Sequence, residues 1–376
     1  MIYLDYASTT PLDPAVRQAM EEALERWGAP SSIHQAGRRA RALLEEARER
    51  LAAVWGAQPG ELVFTASGTE ANALALWGAA LAQPKRHLIT SQIEHSSVLG
   101  TLRALERLGF QLTLLPPDPQ GRIAPEQVLE ALSPETALVS LMWVNHELGT
   151  LQPVFELAPL LRERGILLHV DAAQVLGSIP ARLGDLGADL VSVSAHKFYG
   201  PKGAGALYVR RGLELFPWLP GKQERGRRGG TENLWAAWGM ALAAERAVEG
   251  FAAEYQRLLA LRRRLEEGLL AVEGVRLNGH PSLRSPRIVN VTVQDADGEA
   301  LLLNMDLMGV AVSSGSACSA GSLEPSYVLL AIGHTWQEAR ASLRFSLGRE
   351  TDLGVVERAV EVFRSAVARA RGETSL

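Results

Sequence analysis

Along the first 250 residues, stretches with apolar positions at helical spacing alternate with short runs that are apolar throughout. The spacing predicts helices over Pro14 to Arg26 and Arg38 to Trp55, both rich in Ala, Leu, Glu and Arg, and then a strand at Glu61 to Thr65. A helix from about Glu70, a strand at His87 to Ser91, a helix at Ser97 to Leu108 and a strand at Gln111 to Leu115 follow. Next come a helix near Pro125 to Ala131, strands at Ala137 to Val144, Leu167 to Asp171 and Leu190 to Ala195, and a returning strand at Gly205 to Val209. Seven strands separated mostly by helical segments predict an α/β fold with a mainly parallel sheet covered by helices on both faces. Sites in such sheets gather at the carboxyl ends of the strands.

Beyond this the pattern changes. One long helix is predicted from about Leu234 through Leu270, followed by strands at Arg287 to Val293, Val310 to Ser313 and Ser342 to Ser346, with helices at Glu299 to Leu307 and Leu353 to Arg369. That is a smaller α+β unit. The expected boundary lies inside the long helix near Phe251, and the first dozen residues are expected to pack with the small unit. The division is therefore 13–250 for the large domain, with 1–12 and 251–376 forming the small one. There is no internal repeat and no low-complexity tract.

Composition narrows the class. The 376 residues are 47% hydrophobic, with a mean hydropathy of +0.02, which is enough apolar material for a large core spread over two domains. The longest apolar runs, such as Ala73 to Ala82, are too short to span a membrane, and the first residues lack the basic and apolar regions of a signal peptide. A single cysteine, Cys318, forms no internal disulfide, so a cytoplasmic location is expected. A formal net charge of −4 gives no general attraction to nucleic acid or acidic membranes. Only four lysines occur: Lys85, Lys197, Lys202 and Lys222.

Candidate chemistry lies at the predicted strand ends. Ala66-Ser67-Gly68-Thr69-Glu70-Ala71-Asn72 follows a strand and opens a helix, where backbone N–H groups, the helix dipole and the Thr69 hydroxyl suit a phosphate. The same residues also read as an ordinary glycine turn with Thr69 as N-cap. Asp171 ends an apolar strand, where a carboxylate pairs with a pyridinium nitrogen or simply caps the turn. Lys197, in Ser194-Ala195-His196-Lys197, is either a Schiff-base former or a solvated surface lysine. Cys318, in Ser313-Ser314-Gly315-Ser316-Ala317-Cys318, is either a nucleophile on a small-residue loop or a buried small hydrophobe. One cysteine and no close histidine pair argue against a metal centre. A phosphate loop, a strand-end Asp and a strand-end Lys stand in the order that a pyridoxal phosphate site requires.

On these motifs the chain resembles the cysteine desulfurases, the NifS/IscS type within the class V aminotransferase group, which have fold type I. The match extends through Tyr3-Leu4-Asp5-Tyr6-Ala7-Ser8-Thr9-Thr10-Pro11, Glu94-His95-Ser96-Ser97, Val144-Asn145-His146-Glu147-Leu148-Gly149, Asp171-Ala172-Ala173-Gln174 and Gly229-Gly230-Thr231-Glu232-Asn233, besides the segments above. The resemblance implies pyridoxal 5'-phosphate as cofactor and L-cysteine as substrate, with L-alanine as product and a persulfide on Cys318. Lys197 would hold the cofactor and move the α-proton, Asp171 would meet the pyridine nitrogen and Gln174 the ring hydroxyl. Gly68, Thr69, Ser194 and His196 would form the phosphate site, reached by Thr231 from a second subunit of a homodimer. His95 would stack on the ring and exchange a proton with the substrate thiol, Asn145 would touch cofactor or substrate oxygens, and Arg344 would clamp the substrate carboxylate.

The implied sulfur acceptors are an iron-sulfur scaffold, a sulfur-carrier protein or the route to tRNA thiolation. A selenocysteine lyase or an aminotransferase on the same scaffold is a second enzyme reading, and a catalytically silent assembly scaffold a third. Ala29 and His146 stand where relatives commonly carry Asn, and the chain ends soon after its last helix.

Overall fold

The computed structural model describes residues 1–180, 182–314 and 324–373. Its central sheet has seven strands in the order Leu62–Thr65, Gly205–Val209, Leu190–Ser194, Leu167–Asp171, Thr136–Met142, His87–Ser91 and Gln111–Leu115. The Gly205–Val209 strand runs antiparallel to both its neighbours, and every other pairing is parallel. Successive residues of one strand enter different cores, as the pleat requires. Ile89, Val139, Leu168 and Val191 face the helix Gln35–Trp55 and the helix Leu234–Val248, whereas Leu88, Leu138, Leu167 and Leu190 face the helices Gly68–Leu81 and Ser96–Arg107. Burial on both faces is why these strands read as continuous apolar runs rather than alternating ones.

The long helix expected over Leu234–Leu270 is two helices, Leu234–Val248 and Phe251–Leu270. Gly250 between them has φ +65°, a left-handed conformation that ends a helix and that glycine adopts at little cost. The second helix packs with Leu353–Ala370 over a four-stranded antiparallel sheet, ordered Ser313–Ser314, Ser342–Ser346, Ile288–Val293 and Val275–Asn278. Ile2–Tyr3 pairs in parallel with Val310–Ala311, and Leu4 is buried in this second core. Residues 5–10 then cross from that core to the carboxyl ends of the large sheet, where Thr10 N donates to the carbonyl of His196 at 2.9 Å.

One buried ion pair fixes a loop beside the sheet. Arg48 reaches Glu224 through both terminal nitrogens at 2.8 Å, with the two side chains 3% and 1% exposed, and Glu224 also accepts from the Phe64 amide at 2.9 Å. These bonds hold Glu224 and Arg225 at φ 46° and 58°, left-handed values that non-glycine residues adopt only when their surroundings impose them. Glu224→Ala leaves the buried Arg48 guanidinium with only the Glu45 carboxylate, 43% exposed and 3.3 Å from Nε, as its anion, and we expect a loss of about 3 kcal/mol in the free energy of unfolding. Denaturant titration of the two proteins measures it, and a loss below about 1 kcal/mol would show that the pair contributes little.

Candidate active site

A cavity of about 260 Å³ opens at the carboxyl ends of the parallel strands. Much of its wall comes from segments that leave these strands. Ser67–Thr69 follows Leu62–Thr65, His95 follows His87–Ser91, His146 follows Thr136–Met142, and Lys197 follows Leu190–Ser194 in a short 3-10 turn. Asp171 is the last residue of its own strand.

The polar groups are held in place by one another. The Asp171 carboxylate is buried, accepting from the Ala173 amide at 2.9 Å and from Asn72 Nδ2 at 2.8 Å. Lys197 Nζ donates to the carbonyls of Ala7 and Ser8 at 2.6 and 2.8 Å, and Gln174 Nε2 donates to the same Ala7 carbonyl at 2.7 Å. The amino-terminal segment is thus a wall of the cavity as well as part of the second core. His196 Nδ1 lies 3.0 Å from Thr9 Oγ1, and burial, helped by Lys197 and Lys202, lowers its pKa to about 4. His95 is the N-cap of the Ser96–Arg107 helix, its Nδ1 accepting from the Ser97 amide at 3.2 Å, and burial lowers its pKa, opposed by Asp171 and reinforced by Lys197. At neutral pH the His95 ring is therefore uncharged.

Arg344 enters from the strand Ser342–Ser346 of the small sheet. It donates to the His146 carbonyl at 2.9 Å, Asp5 Oδ1 at 2.8 Å and Ser8 Oγ at 2.6 Å, and its Nε is buried with no partner among the described residues. Two buried carboxyl groups outside the cavity lining are not ordinary carboxylates. Glu94 is raised to about 8 and Glu147 to about 7, in both cases chiefly by burial, with Ser91 and Ser326 donating to them.

Gly68, Thr69, His95, Asp171, Gln174, Ser194, His196, Lys197 and Arg344 all line this one cavity. Asn145 does not. Its carboxamide is spent on a turn, accepting from the Glu147 and Leu148 amides at 3.0 and 2.9 Å and donating to the Ile93 carbonyl at 3.1 Å. Its neighbour His146 lines the cavity instead. Thr231 is exposed and borders a separate small pocket with Arg228 and Asn233. Cys318 lies outside the described residues. The helix after Thr65 is capped by Ser67, whose hydroxyl accepts from the Glu70 amide at 3.1 Å, and not by Thr69, which stands second in the helix.

Four contributors carried no signal strong enough to be assigned from sequence. Asn72 and Ser97 are polar residues near the starts of two helices, both lining the cavity. The Ala7 and Ser8 carbonyls act through backbone alone, which no residue type announces. A polar residue within a run as apolar as Ala71-Asn72-Ala73-Leu74-Ala75 is the one available hint for Asn72.

The arrangement defines the class. A mostly parallel seven-stranded sheet with a strand-end carboxylate, a strand-end lysine and a helix N-terminus around one cavity is the α/β architecture of fold type I. The class-V aminotransferase family profile matches residues 2–358. A cysteine desulfurase IscS of Dictyoglomus turgidum is 45% identical over 97% of this chain and 95% of its own, and one of Methanosarcina thermophila is 41% identical over 100% and 94%. Among solved structures, a NifS-like protein superposes with a TM-score of 0.92 at 33% identity, covering 98% of this chain and 99% of its own. SspA in complex with cysteine superposes with a TM-score of 0.82 at 36% identity, covering 92% of this chain and 99% of its own. The chain belongs to the class-V aminotransferase family and, within it, to the cysteine desulfurases, so it is a pyridoxal phosphate-dependent enzyme.

The residues fit that cofactor. A Cβ at Gly68 would come 3.0 Å from Ser194 Cβ, so glycine keeps open the space in front of the helix N-terminus where an anion is favoured. Asn72 Oδ1 is buried with no partner among the described residues. The carboxylate of Asp171 and the amine of Lys197 share the cavity with the His95 ring.

Proposed function

We propose that the chain removes sulfur from L-cysteine, releases L-alanine and carries the sulfur as a persulfide on Cys318. The observation that carries this reading is the single cavity shared by Asp171, Lys197, His95 and Arg344. When bound, pyridoxal phosphate supplies a conjugated electron sink for the electrons left by removal of the substrate α-proton. Lys197 would hold the cofactor and move that proton, and Asp171 would keep the ring nitrogen protonated. Gln174 would contact the ring hydroxyl, while Gly68, Thr69, Ser194 and His196 would hold the phosphate. Arg344 binds the substrate carboxylate, a role supported by its buried position beside Asp5 and Ser8. His95, which lines the cavity, would lie against the ring and exchange a proton with the substrate thiol. Asn145 shapes the turn that presents His146, a less direct part than a contact with cofactor or substrate.

Sulfur transfer then balances with two thiols. The Cys318 thiolate attacks the substrate sulfur, the S–S bond forms as the sulfur–β-carbon bond breaks, and the electron pair stays on the carbon, which takes a proton. Substrate carbon is reduced to alanine as the two sulfurs become a persulfide.

The working form in this proposal is a homodimer in which Thr231 reaches the partner's phosphate site, which accords with its exposure and with its not lining the cavity of its own chain. We take residues 13–250 as the large domain, with 1–12 and 251–376 as the small one. The acceptor is an iron-sulfur scaffold or sulfur carrier, with tRNA thiolation a further outlet, as the IscS names of the relatives suggest. A cytoplasmic site of action suits these partners. No described helix is long and apolar enough to cross a membrane. The test is mass spectrometry of the pure holoenzyme after incubation with L-cysteine, with alanine assayed in parallel. We expect alanine together with a sulfur adduct on Cys318. Absence of alanine would overturn the proposal.

A further inference from the structure

Ser97 and Asn72 have no assigned part in the chemistry, yet they form a continuous hydrogen-bonded bridge between two groups that do. Asn72 Nδ2 donates to Asp171 Oδ2 at 2.8 Å and to Ser97 Oγ at 2.9 Å, and Ser97 Oγ lies 2.7 Å from His95 Nδ1. The carboxylate at one end and a backbone amide at the other fix the direction of the bonds. A flipped Asn72 would set its carbonyl oxygen against Asp171, so the amide nitrogen faces the acid and spends its second hydrogen on Ser97. Ser97 Oγ is then an acceptor from Asn72. The Ser97 backbone amide donates to His95 Nδ1 at 3.2 Å, which makes that nitrogen an acceptor, so the Ser97 hydroxyl hydrogen goes to it as well. Nδ1 therefore receives two donors and keeps its lone pair for them, which puts the hydrogen of the neutral ring on Nε2. Nε2 itself has no hydrogen-bond partner among the described residues, and His95 lines the cavity.

The surroundings support an uncharged ring. Burial is the largest influence on His95, with Asp171 and Lys197 acting in opposite senses. The His146 ring packs on it edge-on, with centroids 5.5 Å apart at 76°, and is itself held well below the usual histidine range by burial.

We propose that Ser97, tied through Asn72 to Asp171, is a positioning residue that fixes His95 as the Nε2–H tautomer, so that His95 meets the substrate sulfur as a hydrogen-bond donor. This rests on the desulfurase reading and revises the part of His95 within it, from proton exchange with the substrate thiol to hydrogen-bond donation to the substrate sulfur. A ring in this tautomer has no free lone pair for a thiol proton. The substrate sulfur is received as a thiolate, its proton having gone to solvent, and the Nε2–H stabilises that charge. The bridge also links the tautomer to Asp171, so the carboxylate placed for the cofactor sets the hydrogen on the histidine placed for the substrate.

The experiment is a two-bond proton–nitrogen correlation spectrum of the full-length holoenzyme labelled with [15N]histidine, with the His95 signals assigned by their loss in His95→Gln. We expect the Nε2–H pattern in the wild type, a mixture of tautomers in Ser97→Ala and recovery in Ser97→Thr, which keeps the hydroxyl. We also expect kcat/KM for L-cysteine to fall about tenfold in Ser97→Ala and to return to within about threefold in Ser97→Thr, the loss of roughly one hydrogen bond to a charged group. An Nδ1–H pattern in the wild type would overturn the proposal, as would an unchanged tautomer or unchanged kcat/KM in Ser97→Ala. Should Ser97→Ala fail to fold, the wild-type and Ser97→Thr spectra still decide it. Because the spectrum does not depend on turnover, a wild type that shows the expected tautomer but forms no alanine would sink the desulfurase reading separately.

Discussion

Replacing Lys197 with alanine is expected to lower turnover of L-cysteine by at least about 10³-fold while leaving the fold intact. In the proposed mechanism the lysine does two things that no other described residue is placed to do. It is the only lysine among the residues lining the cavity, and Lys202 and Lys222 are exposed. An amine must be unprotonated to bond a carbonyl carbon, and it must be protonated to return a proton to carbon, so it has to change charge within each turnover. The Ala7 and Ser8 carbonyls at 2.6 and 2.8 Å accept from the amine in either state. Arg344 shares Ser8 with Lys197, its Nη2 donating to the Ser8 hydroxyl while Lys197 donates to the Ser8 carbonyl. The check is steady-state alanine formation beside circular dichroism and cofactor absorbance. Turnover within tenfold of the wild type in a folded variant would remove Lys197 from the mechanism.

Much of this architecture is legible in the chain because the chemistry of the strands is unambiguous. His87–Ser91, Gln111–Leu115, Leu167–Asp171, Gly205–Val209 and Ser342–Ser346 are runs whose neighbours turn polar or break sharply, and the observed strands have the expected bounds. The helix Val154–Glu163 is not legible, since Pro159 inside it and Pro153 before it read as punctuation. Pro159 stands sixth in the helix, past the four N-terminal donors that lack an intrahelical partner, and so removes one intrahelical hydrogen bond. The strand Val275–Asn278 and the short helices Tyr327–Ala331 and Trp336–Arg340 are too brief to show a period. Gly250 is visible as a residue but not as a break, because glycine within a helical pattern signals nothing until its φ is known.

The site divides along the same line. Residues that act through their own side chains at strand ends, such as Asp171 and Lys197, follow from motif order. Residues that act through packing or backbone do not. Asn145 and His146 are adjacent in sequence, and only the turn geometry decides which of them faces the cavity. Likewise the tie from Asp171 through Asn72 and Ser97 to His95 joins three segments separated by 99 and 25 residues, a distance over which no local pattern operates.

Cys318→Ala is expected to abolish the sulfur adduct entirely and to reduce alanine formation at least about 100-fold. The chain contains one cysteine, so no second thiol can take over as nucleophile. A free thiol with a pKa near about 8.5 is only a few per cent thiolate at neutral pH, yet a thiolate outranks hydroxyl and amine nucleophiles toward sulfur. Cys318→Ser tests that ranking, because serine keeps the shape and a hydrogen-bonding group but does not attack sulfur to form a persulfide. Both variants should bind cofactor with an unchanged absorbance, since the groups assigned to it lie on the large sheet and on its following helices. Three outcomes separate the readings. Loss of adduct with loss of alanine makes the thiol the obligatory sulfur acceptor. Loss of adduct with alanine formed at the wild-type rate makes the enzyme a lyase that expels sulfur without a protein thiol. An adduct surviving in Cys318→Ala could reside only on cofactor or on non-covalently held sulfur, and would overturn the persulfide assignment outright.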